Sequence, residues 1–238
     1  MTDIAANFER IQAQIAAAAG RAGRDGNSVK LLGASKTVEA ERIRAAITAG
    51  LCLFGENRIQ EATSKMDDVG GAARWHFIGH LQSNKVRVAV ELFEMIESVD
   101  SLTLAREIDK WAERAGKTMP ILVEVNVAGE KSKFGFKPDA LLSQIAEINS
   151  LGHLAVHGLM AIPPYCENPE ESRLYFRSVR EWKERIEKEA GVPMVELSMG
   201  MSHDFEVAVE EGATIVRVGE ALFGPRTKKK MDLTFESD

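Results

Sequence analysis

Cysteine, tyrosine and tryptophan are scarce: two, two and three among 238 residues. Cys52 and Cys166 have the spacing of neither a zinc site nor a redox pair. A disulfide scaffold and a zinc-built fold are therefore excluded, and both thiols are expected to be reduced. No apolar run approaches the roughly 20 residues of a membrane span. The N-terminal MTDIAANFERIQAQIAAAAGRAGR lacks a basic start followed by an unbroken apolar stretch, so no signal peptide is expected. The expectation is a cytoplasmic protein without a membrane partner. No Pro/Gly/Ser-rich linker divides the chain. Positive charge is not in excess: the net charge is -6, with acidic residues spread along the length. That argues against nucleic acid and anionic membrane as partners. The basic cluster at 226–230 reads as a solvated tail.

What remains is ordinary globular composition, 45% hydrophobic and 28% charged, with length for one sizeable core. Ile4, Phe8, Ile11 and Ile15 lie on one helical face, predicting a helix over about 3–19 that stops at Gly20. After the Asp25-Gly26-Asn27 turn, short apolar runs recur at 29–34, 51–54, 75–78, 95–99, 121–127, 154–160, 194–198 and 214–218. Helical periodicity fills the gaps at 38–49, 56–68, 82–92, 101–116, 138–149 and 169–190. A short helix is expected at 203–211 and barely a turn at 220–223. Strand-helix alternation argues for a parallel sheet. Eight repeats in this length fit a single-domain (β/α)8 TIM barrel, an α/β fold with an extra N-terminal helix. An open eight-stranded parallel sheet is the weaker alternative. The barrel is expected over about 29–226, with a short polar tail at 227–238, all within one domain spanning 1–238.

In such a barrel, chemistry collects at the C-terminal strand ends. Those ends carry Lys36, Gly55-Glu56-Asn57-Arg58, Gly79-His80, Asn126, Met160, the stretch SMGMS at 198–202, and Arg217-Val218-Gly219-Glu220. They hold neither a clustered carboxylate pair nor a His/Asp metal set. A lysine at a barrel mouth is partly desolvated, which disfavours its ammonium form and leaves an amine able to attack carbonyls. The bland alternative is a lysine that snorkels to water. The loops containing Ser198, Gly200, Met201, Ser202 and Gly219 run from strand to helix N-terminus, where free N–H groups bind phosphate. Ordinary turn glycines and a helix cap at Ser202 are the alternative. Arg217, between Val216 and Val218, needs an acceptor: Glu124, Glu196, or a heteroaromatic nitrogen of a ligand.

The segments LLGASK, FGENRIQEA, WHFIGHLQSNK, ESVDS, EVNVAGEKSKFGF, HGLMAIPP and LSMGMSHDFEVAVEEGATIVRVGEALFG come in one order over nearly the whole chain. In this the sequence resembles the pyridoxal phosphate homeostasis protein family, single-domain proteins with the alanine-racemase-like barrel of fold type III. The resemblance implies pyridoxal 5'-phosphate (PLP) held as a Schiff base on Lys36. It implies that Ser198, Gly200, Met201, Ser202 and Gly219 surround the phosphate, mostly through backbone N–H groups. It implies that Arg217 faces the pyridine nitrogen and that Asn57, His80 and Met160 line the cofactor. Gln82, Asn84 and Lys85 belong to a further matching segment at the rim, as do Lys133 and Gly135 after strand five. Two positions depart from the pattern. Glu220 replaces a threonine beside the phosphate, where a carboxylate repels the ligand unless it turns outward. Phe134 replaces a small residue and alters the rim.

The resemblance implies a cofactor-binding protein in intracellular vitamin B6 homeostasis with little or no catalysis. Related racemases add an all-β domain that supplies a catalytic tyrosine to the partner subunit. Neither Tyr165 nor Tyr175 matches that role. Racemisation needs an acid/base on each face of the cofactor, and only Lys36 is clearly placed. Arginine at the pyridine nitrogen also weakens the electron sink. A monomer that passes PLP to PLP-dependent apo-enzymes is expected. The alternatives are a PLP-dependent amino-acid racemase-like enzyme and a sugar-phosphate barrel enzyme using Lys36 without cofactor.

Overall fold

The computed structural model describes residues 2–130 and 133–225. The expected basic cluster and tail lie outside the described residues. The first helix, α1, spans Ile4–Arg21. The Asp3 carboxylate caps it, accepting from the Ala6 N–H at 3.0 Å. Its buried stripe of Ile4, Ile11, Ile15, Ala18 and Ala19 is the face that the periodicity predicts.

Strand and helix then alternate. The order is β1 (Lys30–Ala34), α2 (Ala40–Thr48), β2 (Leu53–Glu56), α3 (Ile59–Val69), β3 (Arg74–Phe77) and α4 (Val86–Leu92). Next come β4 (Met95–Val99), α5 (Leu102–Arg114), β5 (Met119–Glu124), α6 (Pro138–Asn149) and β6 (Leu154–Met160). The last are α7 (Arg173–Ala190), β7 (Glu196–Met201), α8 (Phe205–Glu210), β8 (Ile215–Val218) and α9 (Glu220–Phe223). The strands pair in sequence order, all parallel, and β1 closes on β8 with Gly33 opposite Val218. The open-sheet alternative is thereby overturned. Helix α1 packs on α8, α9 and α2.

Several elements begin later than the apolar runs suggest. Strand β2 starts at Leu53 rather than 51, and β7 at Glu196 rather than 194. Leu51 and Met194 are buried all the same, as loop residues that join the outer core. The helical stretches from 82 and 169 each open with a 3-10 turn, Ser83–Lys85 and Pro169–Ser172.

Alternation along the strands sorts side chains into two cores. Leu31, Phe54, Phe77, Ile96, Ile121, Val123, Leu159, Val216 and Val218 face the helices in one large cluster. Leu32, Leu53, Ile78, Met95, Leu122, Met160 and Ile215 form a separate cluster inside the barrel. The inner cluster is small. Above it the inward positions turn polar, with Glu97, Glu124, Ser198 and Arg217, all buried.

Candidate functional site

Lys36 follows β1 in phase with the inward residues Leu32 and Ala34, which aims it at the barrel mouth. It is half-buried. Thr37 takes a left-handed φ of 62°, unusual for a β-branched residue, and turns the chain toward α2. Its hydroxyl donates to the Lys36 carbonyl at 2.6 Å. Beneath them, Ser35 Oγ donates to Glu56 Oε1 at 2.7 Å. Lys65 Nζ donates to the same carboxylate oxygen at 2.8 Å and to the Ser35 carbonyl at 2.7 Å. Burial pushes the Glu56 carboxyl up, against the pull of Lys65 and Ser35. Three elements thus pin the peptide that carries Lys36. Lys36 lines a cavity of about 40 Å3 together with Thr37, Arg42, Gly219 and Glu220.

The loops after β7 and β8 meet at that cavity's edge. Gly200 has φ of 89°, and a Cβ there would sit 2.5 Å from the Ala208 methyl. A Cβ on Gly219 would approach the Ala34 carbonyl oxygen to 3.1 Å. Ser202 Oγ accepts the N–H groups of Gly219 and Ala221, each at 3.2 Å, and so ties the two loops together. The Met201 N–H donates to Asp204 Oδ1 at 2.7 Å. Ser202 does not cap α8; Asp204 holds that position. Helices α8 and α9 have six and four residues. Such short helices add little macrodipole to these loops. Glu220 is exposed and opens α9.

Ser198 differs from the other loop residues. It is fully buried inside the barrel, one inward layer below Gly200. Its hydroxyl donates to Glu97 Oε2 at 2.5 Å and accepts from Arg217 at 2.7 Å. Arg217 also donates to the Ala161 carbonyl at 2.9 Å. The Glu97 carboxylate reaches His76 Nδ1 at 2.6 Å. No ion pair links Arg217 to Glu124 or Glu196 among the described residues. Glu196 instead pairs with Lys30 and accepts from Thr214. Burial lowers the Arg217 pKa, while the carboxylates Glu97, Glu124 and Asp204 oppose the drop. Met160 is fully buried in the inner cluster.

Asn57, His80, Gln82 and Lys85 line a separate cavity of about 120 Å3. Asn57 Oδ1 is buried with no hydrogen-bond partner among the described residues. Gly79 lets β3 pass close: a Cβ there would meet the Asn57 carbonyl oxygen at 2.4 Å. His80 Nδ1 lies 3.1 Å from Asp100 Oδ2. Its ring stacks on Phe134, centroids 3.6 Å apart and 10° between planes. The predicted residues thus fall into three groups: Lys36 with Gly219 and the Gly200-Met201-Ser202 loop tied to it, Asn57 with His80, and the buried set of Met160, Ser198 and Arg217. Sequence reasoning missed Glu97 and gave Glu124 no role beyond a partner for Arg217. A charged residue inside each apolar run, MIESV and ILVEVNV, was the available signal. Among the described residues no cluster of three metal-ligating side chains occurs.

The chain is thus an eight-stranded parallel barrel with a lysine past β1 and an arginine inside β8. The family model for the alanine racemase N-terminal domain matches residues 4–227. The pyridoxal phosphate homeostasis protein of Aquifex aeolicus is 48% identical over 220 residues, 92% of this chain and 96% of the relative. That of Pseudomonas aeruginosa is 40% identical over 227 residues, 95% of this chain and 97% of the relative. PipY of Synechococcus elongatus, solved without PLP and with PLP bound, matches with TM-scores of 0.85 and 0.83. Identity is 36% and 35%, and each match covers 93% of this chain and 100% of PipY. An alanine racemase of Clostridium difficile shares the fold at 15% identity and TM-score 0.74, covering 95% of this chain and 58% of its own. The chain belongs to the pyridoxal phosphate homeostasis protein family.

Proposed function

We propose that this chain holds pyridoxal 5'-phosphate on Lys36 and serves intracellular cofactor homeostasis rather than turnover. One observation carries the reading: Lys36 and Gly219 line the same cavity, so a mouth amine and the backbone donors after β8 share one wall. The PLP-bound PipY supports the choice of ligand. The residues present fit the group. Gly200 and Gly219 leave the backbone bare where a Cβ would crowd it.

When bound, the cofactor would supply an aldehyde electrophile. Lys36 is the nucleophile, and the Glu56–Lys65–Ser35 cluster holds its peptide in place. Gly200, Met201, Ser202 and Gly219 would hold the phosphate. Arg217 would supply the donor for the pyridine nitrogen, and Glu97 through Ser198 keeps Arg217 in place. Met160 would floor the site, and Asn57 and His80 would flank it.

The donor set supports the low-turnover reading. Tyr165 is 76% exposed and lies against His203, while Tyr175 sits on the outer helix α7. Neither supplies a second acid/base at Lys36. The chain acts as a cytoplasmic monomer that passes PLP to apo-enzymes. Among the described residues no helix is long and apolar enough to cross a membrane. The test is an absorption spectrum with added PLP, before and after borohydride. The wild type is expected to show a yellow imine band that becomes a reduced covalent adduct. Lys36→Ala loses both. A reducible adduct on Lys36→Ala transfers the role to another lysine. Robust racemisation of L-amino acids, read by chiral analysis, overturns the carrier reading.

A further inference from the structure

The mouth of the barrel carries another cavity, over β5 and β6. It measures about 170 Å3 and is lined by Glu124, Val125, Asn126, Lys133, Phe134 and Ile162. None of these residues lines the Lys36 cavity. Glu124 is in phase with Leu122 of the inner cluster and is only 8% exposed. Among the described residues no donor bonds to its carboxylate. Arg217 bonds instead to Ser198 and Ala161. Asp100, just past β4, adds negative potential. A buried carboxylate that opens into a cavity with no hydrogen-bond donor of its own favours a ligand group that donates to it.

The other walls define the rest of the ligand. Lys133 Nζ lies 2.9 Å from Glu130 Oε1 and donates to the Ile162 carbonyl at 3.4 Å. An ammonium has three donors, and the bond to Ile162 uses one of them, which leaves capacity for a ligand anion. Val125, Ile162 and Phe134 are apolar. Phe134 is 53% exposed yet is held by its stack on His80. Asn126 fixes the loop by donating to the carbonyls of Glu130 and Lys133. An anion, a cation and an apolar wall around one small space match a zwitterion with an apolar branch. The volume is comparable to the roughly 150 Å3 that accommodates a benzene-sized ligand.

We propose that this cavity binds a free neutral α-amino acid with a small apolar side chain, its ammonium on Glu124 and its carboxylate on Lys133. The site does not depend on the Lys36 reading. The probe is L-valine, titrated by calorimetry into the wild type and into Lys36→Ala, where condensation at Lys36 is ruled out. Saturable binding is expected in both. N-Acetyl-L-valine, which lacks the ammonium, and isobutylamine, which lacks the carboxylate, are each expected to bind at least about tenfold more weakly. A hydrogen bond to a charged group is worth that much. Glu124→Gln and Lys133→Met are expected to weaken L-valine by a similar factor. Absence of saturation in both proteins overturns the proposal. So does binding in the wild type alone, which places the amino acid on the cofactor. Equal affinity for either analogue, or undiminished binding by a folded Glu124→Gln, does the same. The analogue arm needs no variant and decides the matter if Glu124→Gln does not fold.

Discussion

At Glu124, burial pushes the carboxyl up to about 7, with Asp100 adding to the rise and Arg217 opposing it. The folded state therefore holds a proton that the unfolded chain releases near pH 4.5. Stability from this group falls as pH rises from about 4.5 to about 7. Glu124→Gln removes the effect. It is expected to raise the free energy of unfolding at pH 8 by up to about 3 kcal/mol and to change little at pH 4. Urea midpoints at the two pH values check this. Ser198 works in the opposite sense. Ser198→Ala leaves Glu97 and Arg217 each short of a buried partner, at a cost of about 1–3 kcal/mol. The same variant is expected to shift the spectrum of the bound cofactor, since Arg217 loses its brace. Glu220→Ser takes a negative charge from the wall of the Lys36 cavity. Slower loss of PLP during gel filtration is expected. The inward phase of Arg217 was readable between Val216 and Val218. That Ser198 lies below the loops was not, because periodicity gives the side of a strand and not the depth at which the strand ends.

Among the elements, α1 shows the clearest passage from pattern to packing. Its apolar stripe meets α8 and α9, which carry the loop region of the site. Ile11 is fully buried there. Ile11→Ala is expected to cost about 2–5 kcal/mol, read from the urea midpoint. The ion pairs of Arg21 with Glu206 and Glu210 join the same elements, but Arg21 is 51% exposed. Arg21→Ala is expected to cost less than about 1 kcal/mol. The β7 loop is less tolerant. Gly200→Ala puts a methyl against α8 at a backbone angle that L residues rarely adopt. PLP retention is expected to fall even where the barrel stays folded, as judged by far-UV circular dichroism. Helix periodicity located every α-helix within a few residues. Strand boundaries also moved, β2 and β7 starting later because Leu51 and Met194 continue the apolar signal while packing from loops.

For the whole molecule, closure matters most. Joining β8 to β1 removes both sheet edges and brings residue 36 beside residue 219. Without open edges the expected behaviour is one cooperative unfolding transition and, in sedimentation equilibrium, the mass of a single chain. A dimer mass would overturn the monomer reading. The sequence by itself determined the eight-fold alternation, the helical stripe of α1 and the lysine, glycines and arginine at the strand ends. Those are local properties, written in spacing and in what each residue type tolerates. Only the tertiary structure decided that Arg217 rests on Ser198 and Ala161 rather than on Glu124 or Glu196. It alone set Phe134 over His80 and left the Glu124 carboxylate facing a cavity. Each of those depends on distances across a closed barrel, between strands far apart in sequence, which no local pattern encodes.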